Sequence, residues 1–269
     1  MEKKFKLGAI GAGFMSGAII DGVISSGAIS PNQIIVSDIN RAALDRMSKK
    51  GVSVTDKNSD IFQNAEYVLL AIKPQTFKEI GVKTRSEENF KIISIMAGVL
   101  KANIKRYYPN AAVARCMPNT PCSVGYGAVG IDASDFTAEK DAEFVKTLFS
   151  SFSKVVFLDE NMLNVVTGVS GSGPAYFYLF LKGIIDAGIK RGLSPEAAKL
   201  LACNTMIGSG IMVLNNHDKS LDELIDAVCS KGGTTIEAIK VFKENGLTET
   251  EDKAVEACIK RAAELEKEV

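Results

Sequence analysis

The sequence predicts an α/β fold: a doubly wound, mostly parallel sheet over residues 1–160, followed by an all-helical domain over residues 161–269. Three observations carry this expectation. Strand and helix signals alternate through the first half, the pattern of a parallel sheet with crossover helices. The first strand, Lys6 to Ile10, runs into Gly11-Ala12-Gly13-Phe14-Met15-Ser16-Gly17 and then an apolar helix to Ile24, the strand, glycine turn and helix of a Rossmann-type dinucleotide site. After about Asn161 the strand signals stop, and Val166 to Leu214 is strongly apolar.

The remaining strands are expected at Ile34 to Val36, Val52 to Val54, Tyr67 to Ala71, Lys91 to Ile95 and Ala112 to Cys116, with Ala128 to Ile131 and Lys154 to Leu158 as the last additions. Helices fall between them, most clearly at Asp60 to Asn64, Leu100 to Tyr107 and Thr137 to Ser150. In the second half, Ala175 to Leu181 is apolar all round, which requires burial on every side. Ser194-Pro195-Glu196 reads as an N-cap with Pro at the first helical position, Thr248 with Glu251 as a capping box, and Val255, Cys258, Ile259 and Ala262 as one apolar stripe. So much apolar helix in roughly a hundred residues cannot hide its own surface, so it is expected to pack against the same region of a second chain.

Composition bounds the function. The 269 residues, 46 % of them apolar, suffice for one large domain or two modest ones, each with a core. Thirty-two basic residues balance 32 acidic ones without a basic block, so neither nucleic acid nor a charged membrane surface is an expected partner. Met1 to Phe5 leads straight into a strand and no uninterrupted run of 18 apolar residues occurs, which predicts a cytoplasmic protein. Cys116, Cys122, Cys203, Cys229 and Cys258 have no CxxC spacing, and His217 is the only histidine, so no metal site is expected. His217 itself sits in a polar turn and reads as solvated.

The candidate site residues follow from the fold. Gly11 and Gly13 fit the first two positions of the dinucleotide fingerprint, and Ser16 stands at the third. At the end of the second strand, Asp38 suits a free ribose 2′-hydroxyl, whereas Arg41 with Ser37 or Asn40 suits a 2′-phosphate, so NAD and NADP both stay open. Three further strand ends carry unusual residues: Ala71-Ile72-Lys73-Pro74-Gln75, Ser94-Ile95-Met96-Ala97-Gly98 and Arg115 to Pro121. In a doubly wound sheet these ends line one crevice. Far along the chain, Ser230-Lys231-Gly232-Gly233-Thr234-Thr235 precedes the helical run Ile236 to Phe242. Free N–H groups and a Ser/Thr cap there make either a small-carboxylate pocket or an ordinary capped helix.

One reaction class is disfavoured. Gly168, Gly171 and Gly173 fit the glycines of the G-x-x-G-x-G-x-x-x-K-x-x-x-N pattern of 3-hydroxyacid dehydrogenases, but its Lys and Asn positions hold Phe177 and Leu181. A non-catalytic nucleotide-binding scaffold is the alternative of a different class.

Ile10 to Gly13, Ala71 to Gln75, Ala97-Gly98, Met117 to Pro121 with Val124 and Gly125, Ser170-Gly171-Ser172-Gly173-Pro174-Ala175-Tyr176 and Gly232 to Thr235 form a set of motifs spread over essentially the whole chain. In these stretches the chain resembles the pyrroline-5-carboxylate reductases. The resemblance implies reduction of the cyclic imine 1-pyrroline-5-carboxylate to L-proline by hydride from NADPH, with NADH as the alternative. It also implies a homodimer through the helical domain and larger rings of dimers. Carried over residue by residue, Ser230, Gly232, Gly233, Thr234 and Thr235 would bind the substrate, with the Thr235 hydroxyl at the ring nitrogen as the catalytic group. Gly11, Gly13, Phe14, Met15 and Ser16 would line the pyrophosphate, and Asn58 with Ser37, Asp38, Asn40 and Arg41 the adenosine ribose. Ala71, Ile72, Lys73, Pro74, Ala97 and Gly98 would line the nicotinamide end. The chain departs from the family at Lys231, where Pro is usual, at Ser16, where Ala or Gly is common, and at Asp38, which leaves the usual NADP preference open.

Overall fold

The computed structural model describes residues 3–268. Eight strands form one sheet: β1 (Phe5–Ile10), β2 (Ile34–Ser37), β3 (Ser53–Thr55), β4 (Ala65–Leu70), β5 (Lys91–Ser94), β6 (Ala112–Pro118), β7 (Gly127–Asp132) and β8 (Ser153–Phe157). Their order is β3-β2-β1-β4-β5-β6-β7-β8. Neighbours pair in parallel except β6 with β7, which are antiparallel. The doubly wound, mostly parallel sheet expected from the sequence is therefore present. Helices α1 (Phe14–Ser25), α2 (Arg41–Ser48), α3 (Asn58–Asn64), α4 (Pro74–Thr84), α5 (Lys101–Lys105) and α6 (Glu139–Ser150) connect the strands.

Both faces of the sheet are covered, which is why its strands read as continuous apolar runs rather than as alternation. Leu7, Ala9, Tyr67, Leu69 and Ile93 point into one core with Ile19, Ile20 and Val23 of α1 and Leu148 and Phe149 of α6. Their neighbours Ile10, Val68, Leu70 and Ile92 point into the other, with Ile61, Phe77 and Ile104 from α3, α4 and α5.

After β8 come α7 (Leu163–Val166), a π-helical turn at Thr167–Gly171, then α8 (Gly173–Lys190), α9 (Pro195–Asn215), α10 (Leu221–Val228), α11 (Thr234–Glu244) and α12 (Leu247–Leu265). Packing divides the chain into a sheet unit, Met1–Pro174 with Ala257–Val269, and a helical unit, Ala175–Glu256. Residues 161–174 thus pack with the sheet unit: Leu163 is buried, and Val166 lies so close to Gly130 that a Cβ there would meet it at 2.9 Å.

The helical unit has almost no interior. Among its residues only Ala198 is buried, while Phe177, Tyr178, Leu179 and Phe180 are between 42 and 73 % exposed. The expectation that Ala175 to Leu181 is buried on all sides is not met within one chain: the Phe180 ring lies against Phe242 of α11, but Phe177, Tyr178 and Leu179 stay exposed. Among the described residues one helix, α9, is long and apolar enough to cross a membrane.

The helix ends are set locally. Ser194 caps α9 by accepting from the Ala197 N–H, with Pro195 at the first position as expected. Thr248 and Glu251 form no capping box, because α12 already starts at Leu247, after Gly246 breaks the chain direction. The capping box of this region is Ser220 with Glu223. The apolar stripe of α12 is as expected, with Val255, Cys258 and Ile259 half-buried and Ala262 buried.

A polar network closes the N-terminal side of the sheet. The Tyr67 hydroxyl donates to Asp141 Oδ1 at 2.6 Å, Lys91 Nζ donates to the same oxygen at 2.8 Å, and Lys6 and Lys91 both pair with Glu66. Burial pushes the Asp141 carboxyl up, but Lys91 and Tyr67 together bring it net below the usual range. A carboxyl depressed in the folded state adds stability that is complete above its unfolded pKa of about 3.9 and is lost as pH falls through the folded value. Asp141→Asn should cost on the order of 1–3 kcal/mol at neutral pH, read from urea unfolding, and should flatten the loss of stability on the acid side. An unchanged acid limb would contradict the assignment.

Candidate active-site elements

Register aligns the carboxyl ends of four strands along one edge of the sheet. Ile10 pairs with Ser37 on one side and Leu70 on the other, and Leu70 pairs with Ser94, so the segments after β1, β2, β4 and β5 leave the sheet side by side. Backbone bonds extend the alignment past the strands: Gly11 N to Ser37 O at 2.8 Å, Ala71 N to Ile10 O at 2.9 Å and Ile95 N to Leu70 O at 3.1 Å. Gly11 has φ +102°, and a Cβ on it would sit 2.4 Å from the Ala71 carbonyl oxygen and 3.1 Å from Ile72 Cγ2. No other residue type fits there.

Gly13 caps α1 with its backbone alone, and a Cβ on it would meet nothing within 4 Å. The first-turn N–H groups of Phe14, Met15 and Ser16 therefore have no side-chain cap, and the space above Gly13 is open. This is the arrangement a pyrophosphate requires. Phe14 is exposed, Met15 is half-buried against the core, and Ser16 is buried, which explains the small residue at the third fingerprint position. The Ser16 hydroxyl is buried without a hydrogen-bond partner. A cavity of about 340 Å³ lies beside this turn, lined by Ala12, Gly13, Phe14, Arg46, Lys50 and Ser123 among others.

At the end of β2 the structure gives Asp38 a second task. Its Oδ2 accepts the Ala12 N–H at 2.7 Å and its Oδ1 the Asn40 N–H at 2.7 Å, so the carboxylate ties the glycine turn to the start of α2. Asn40 caps α2 by accepting from the Ala43 N–H, and Arg41, the first residue of that helix, has a side chain 82 % exposed, paired with Asp45 at 3.3 Å. The Ser37 hydroxyl donates to Asn58 Oδ1 at 2.8 Å, which joins β2 to the start of α3. The residues assigned to the ribose by resemblance are thus neighbours.

Farther along the edge, Lys73 is the exposed N-cap residue of α4 with Pro74 at the first position, and its carbonyl accepts from Thr76. Ala97 is half-buried and Gly98 buried, in the turn that leads from β5 to α5. Asn119, quoted in the strand-end motif but given no role by sequence, is buried and bridges two segments: Oδ1 accepts from the Ala128 N–H at 3.0 Å and Nδ2 donates to Ser170 O at 3.2 Å. Its position after Pro118 was the available signal, but the partner in the π-helical turn has no local sequence mark.

The loop at Ser230 to Thr235 belongs to the helical unit. Gly232 has φ +73°, and the Gly233 N–H donates to Ser230 O at 2.9 Å, which makes a tight turn. The expected Ser/Thr cap is corrected here: Gly233 is the N-cap of α11, no side chain caps the helix, and Thr234 is its first residue. The N–H groups of the first turn are therefore not used by a local hydroxyl, which is what anion binding at a helix start requires. Ser230, Lys231, Gly232 and Thr234 are exposed, and Thr235 is half-buried.

Among the described residues no group of His, Cys, Asp and Glu is arranged to hold a metal. Burial pushes the Cys116 and Cys122 thiols up, which makes them poor nucleophiles at neutral pH. Each unit thus has a helix start without a side-chain cap, α1 in one and α11 in the other, and the sheet unit adds a row of aligned strand ends.

Comparison with known proteins agrees with this chemistry. Residues 160–265 match a family model described as pyrroline-5-carboxylate reductase dimerisation, and residues 6–98 one described as NADP oxidoreductase, coenzyme F420-dependent. A pyrroline-5-carboxylate reductase of Danio rerio is 34 % identical over 97 % of this chain and 92 % of its own length. Among solved structures, a pyrroline-5-carboxylate reductase from Coxiella burnetii is similar at TM-score 0.89 and 33 % identity, covering 98 % of this chain and 99 % of that one. The pyrroline carboxylate reductase of Plasmodium falciparum, solved with NADP bound, is similar at TM-score 0.88 and 26 % identity, covering 99 % of this chain and 100 % of that one.

Proposed function

The chain belongs to the pyrroline-5-carboxylate reductase family, and from that premise we propose which of its residues reduce the C=N bond of 1-pyrroline-5-carboxylate to give L-proline. A bound nicotinamide cofactor supplies the hydride. The chain's own work is to hold the acid group, orient the ring and keep a proton at the nitrogen. An imine nitrogen is far more basic than a carbonyl oxygen and can arrive protonated, so the reaction needs no strong general acid. Phe177 at the position where hydroxyacid dehydrogenases have Lys is consistent with that.

The observation that carries the reading is the uncapped start of α11 after a glycine turn. The N–H groups of Gly233, Thr234 and Thr235 take the substrate carboxylate, with Ser230 and Gly232 shaping the turn. The Thr235 hydroxyl accepts from the ring N–H and fixes which atom faces the hydride donor. Such placement contributes on the order of 7 kcal/mol or more to rate when the reacting atoms are held at about 3–3.5 Å. Lys231, in place of the usual Pro, adds a cation beside the carboxylate.

On the nucleotide side, Gly11, Gly13 and the N–H groups of Phe14, Met15 and Ser16 hold the pyrophosphate. Ser37, Asp38, Asn40, Arg41 and Asn58 hold the ribose, and Ala71, Ile72, Lys73, Pro74, Ala97 and Gly98 the nicotinamide end. NADPH is the proposed donor, with NADH the alternative. Both Asp38 oxygens already accept backbone N–H groups, which reduces their hold on a 2′-hydroxyl, while the exposed Arg41 guanidinium at a helix start suits a 2′-phosphate. The Plasmodium falciparum structure with NADP supports this choice.

Residues 1–160 are read as the nucleotide domain and 161–269 as the substrate and dimerisation domain. The exposed apolar faces of α8 and α9 are covered by a second copy of the chain, and rings of such dimers are the larger assembly proposed. A cytoplasmic location goes with an enzyme that draws on the soluble nicotinamide pool.

Thr235→Ala should lower kcat by about a hundredfold, the scale of losing a positioned proton partner, while the dissociation constant for NADPH stays unchanged; equal activity would remove the hydroxyl from the reaction. Arg41→Ala should raise KM for NADPH by about tenfold, the effect of one lost charge-assisted hydrogen bond, and leave KM for NADH where it was. Parallel kinetics with the two donors decide it, and an equal change for both would contradict the role of Arg41.

A further inference from the structure

The sheet unit holds a buried charge cluster that the reaction as read above does not use. Arg115 in β6 is 2 % exposed, and its Nη1 donates to Glu160 Oε1 at 3.0 Å and lies 4.0 Å from Glu266 Oε1. Glu160 Oε1 also accepts the N–H of Lys101, the first residue of α5, at 2.8 Å. Glu266 Oε1 accepts from Asn164 Nδ2 at 3.1 Å. A buried cation held between carboxylates fixes both of them, because removing either leaves charge uncompensated away from water.

The residue before Glu266 shows what the cluster fixes. Gly98 has φ +71°, and a Cβ on it would lie 2.9 Å from Leu265 Cβ and 3.4 Å from the Glu266 nitrogen. The end of α12 is therefore seated on the Ala97-Gly98 turn, in the space a side chain would fill. On its other side the turn runs into Leu100, whose N–H donates to Asn103 Oδ1 at 3.0 Å, and Lys101, whose N–H is held by Glu160. Arg115 joins the two holders.

We propose that Leu265 and Glu266 are positioning residues: the end of α12 clamps the Ala97-Gly98 turn and so sets the nicotinamide end of the cofactor. This rests on the placement of Ala97 and Gly98 given under the proposed function. Leu265→Gly, which removes the Cβ seated on Gly98, and Glu266→Ala, in the full chain, should lower kcat by about tenfold or more, the scale of a small misplacement of reacting groups, and weaken NADPH binding. Adenosine 2′,5′-bisphosphate, which carries only the adenosine end, should bind as to the unaltered protein, and KM for the imine should hold. Leu265→Met and Glu266→Gln, which keep bulk and an acceptor, should restore most of the rate. Gly98→Ala serves as the control. If it changes neither NADPH binding nor kcat, the placement of the turn fails and the clamp with it. If it impairs both while the Leu265 and Glu266 variants match the unaltered protein, or lose both ligands together, the clamp is refuted and the placement stands.

Discussion

The approach of the Gly11 backbone to the Ala71 carbonyl governs the sheet unit. Where a side chain would stand 2.4 Å from that oxygen, the missing Cβ lets β1 and β4 run past their last paired residues and turn away together. Everything assigned to the nucleotide sits on that edge. The turn starts α1 with free N–H groups, and Asp38 reaches across from β2 to hold the Ala12 N–H in place. A helix start is a general anion site, but it becomes a dinucleotide site only when the neighbouring strand ends are aligned with it, and register supplies that alignment.

The helical unit obeys a different constraint. With Ala198 its one buried residue, it has no core to stabilise it alone, and area removed from water is the dominant favourable term in folding. Its fold and its assembly are therefore one problem, and the family model spanning residues 160–265, described as a dimerisation region, states the solution that relatives use. The membrane-like hydropathy of α9 fits the covering by a second copy proposed above, since a helix buried between subunits and one buried in lipid meet similar demands.

Much of this could be read from the residues. Strands covered on both faces leave long apolar runs, and the glycine turn has few other meanings in that context, so the fold class was accessible. Element boundaries shifted by a residue or two where backbone pairing runs on past the apolar stretch, as at Ala112–Pro118. The α12 capping box was misread because Thr248 has the right partner three residues on, yet Gly246 lets the helix begin earlier. The cap of α11 was misread in the opposite way, since glycine supplied the cap and left the threonines inside the helix. Distant partnerships could not be read at all. Nothing near Arg115 announces Glu160 or Glu266, and nothing near Asn119 announces Ser170, because buried polar groups find partners through the tertiary fold.

A protonated imine accepts hydride readily, so the chain can do without the lysine that an alcohol oxidation needs and can rely on orientation. The claim tested most directly is that hydride passes from the nicotinamide to the carbon of the C=N bond. With NADPH deuterated at the transferable C4 position and 1-pyrroline-5-carboxylate as substrate, mass spectrometry and NMR of the product should find the deuterium on the ring carbon of L-proline that was doubly bonded to nitrogen. Proline without deuterium at that carbon from cofactor labelled on either face, or no proline with either NADPH or NADH, would contradict the account.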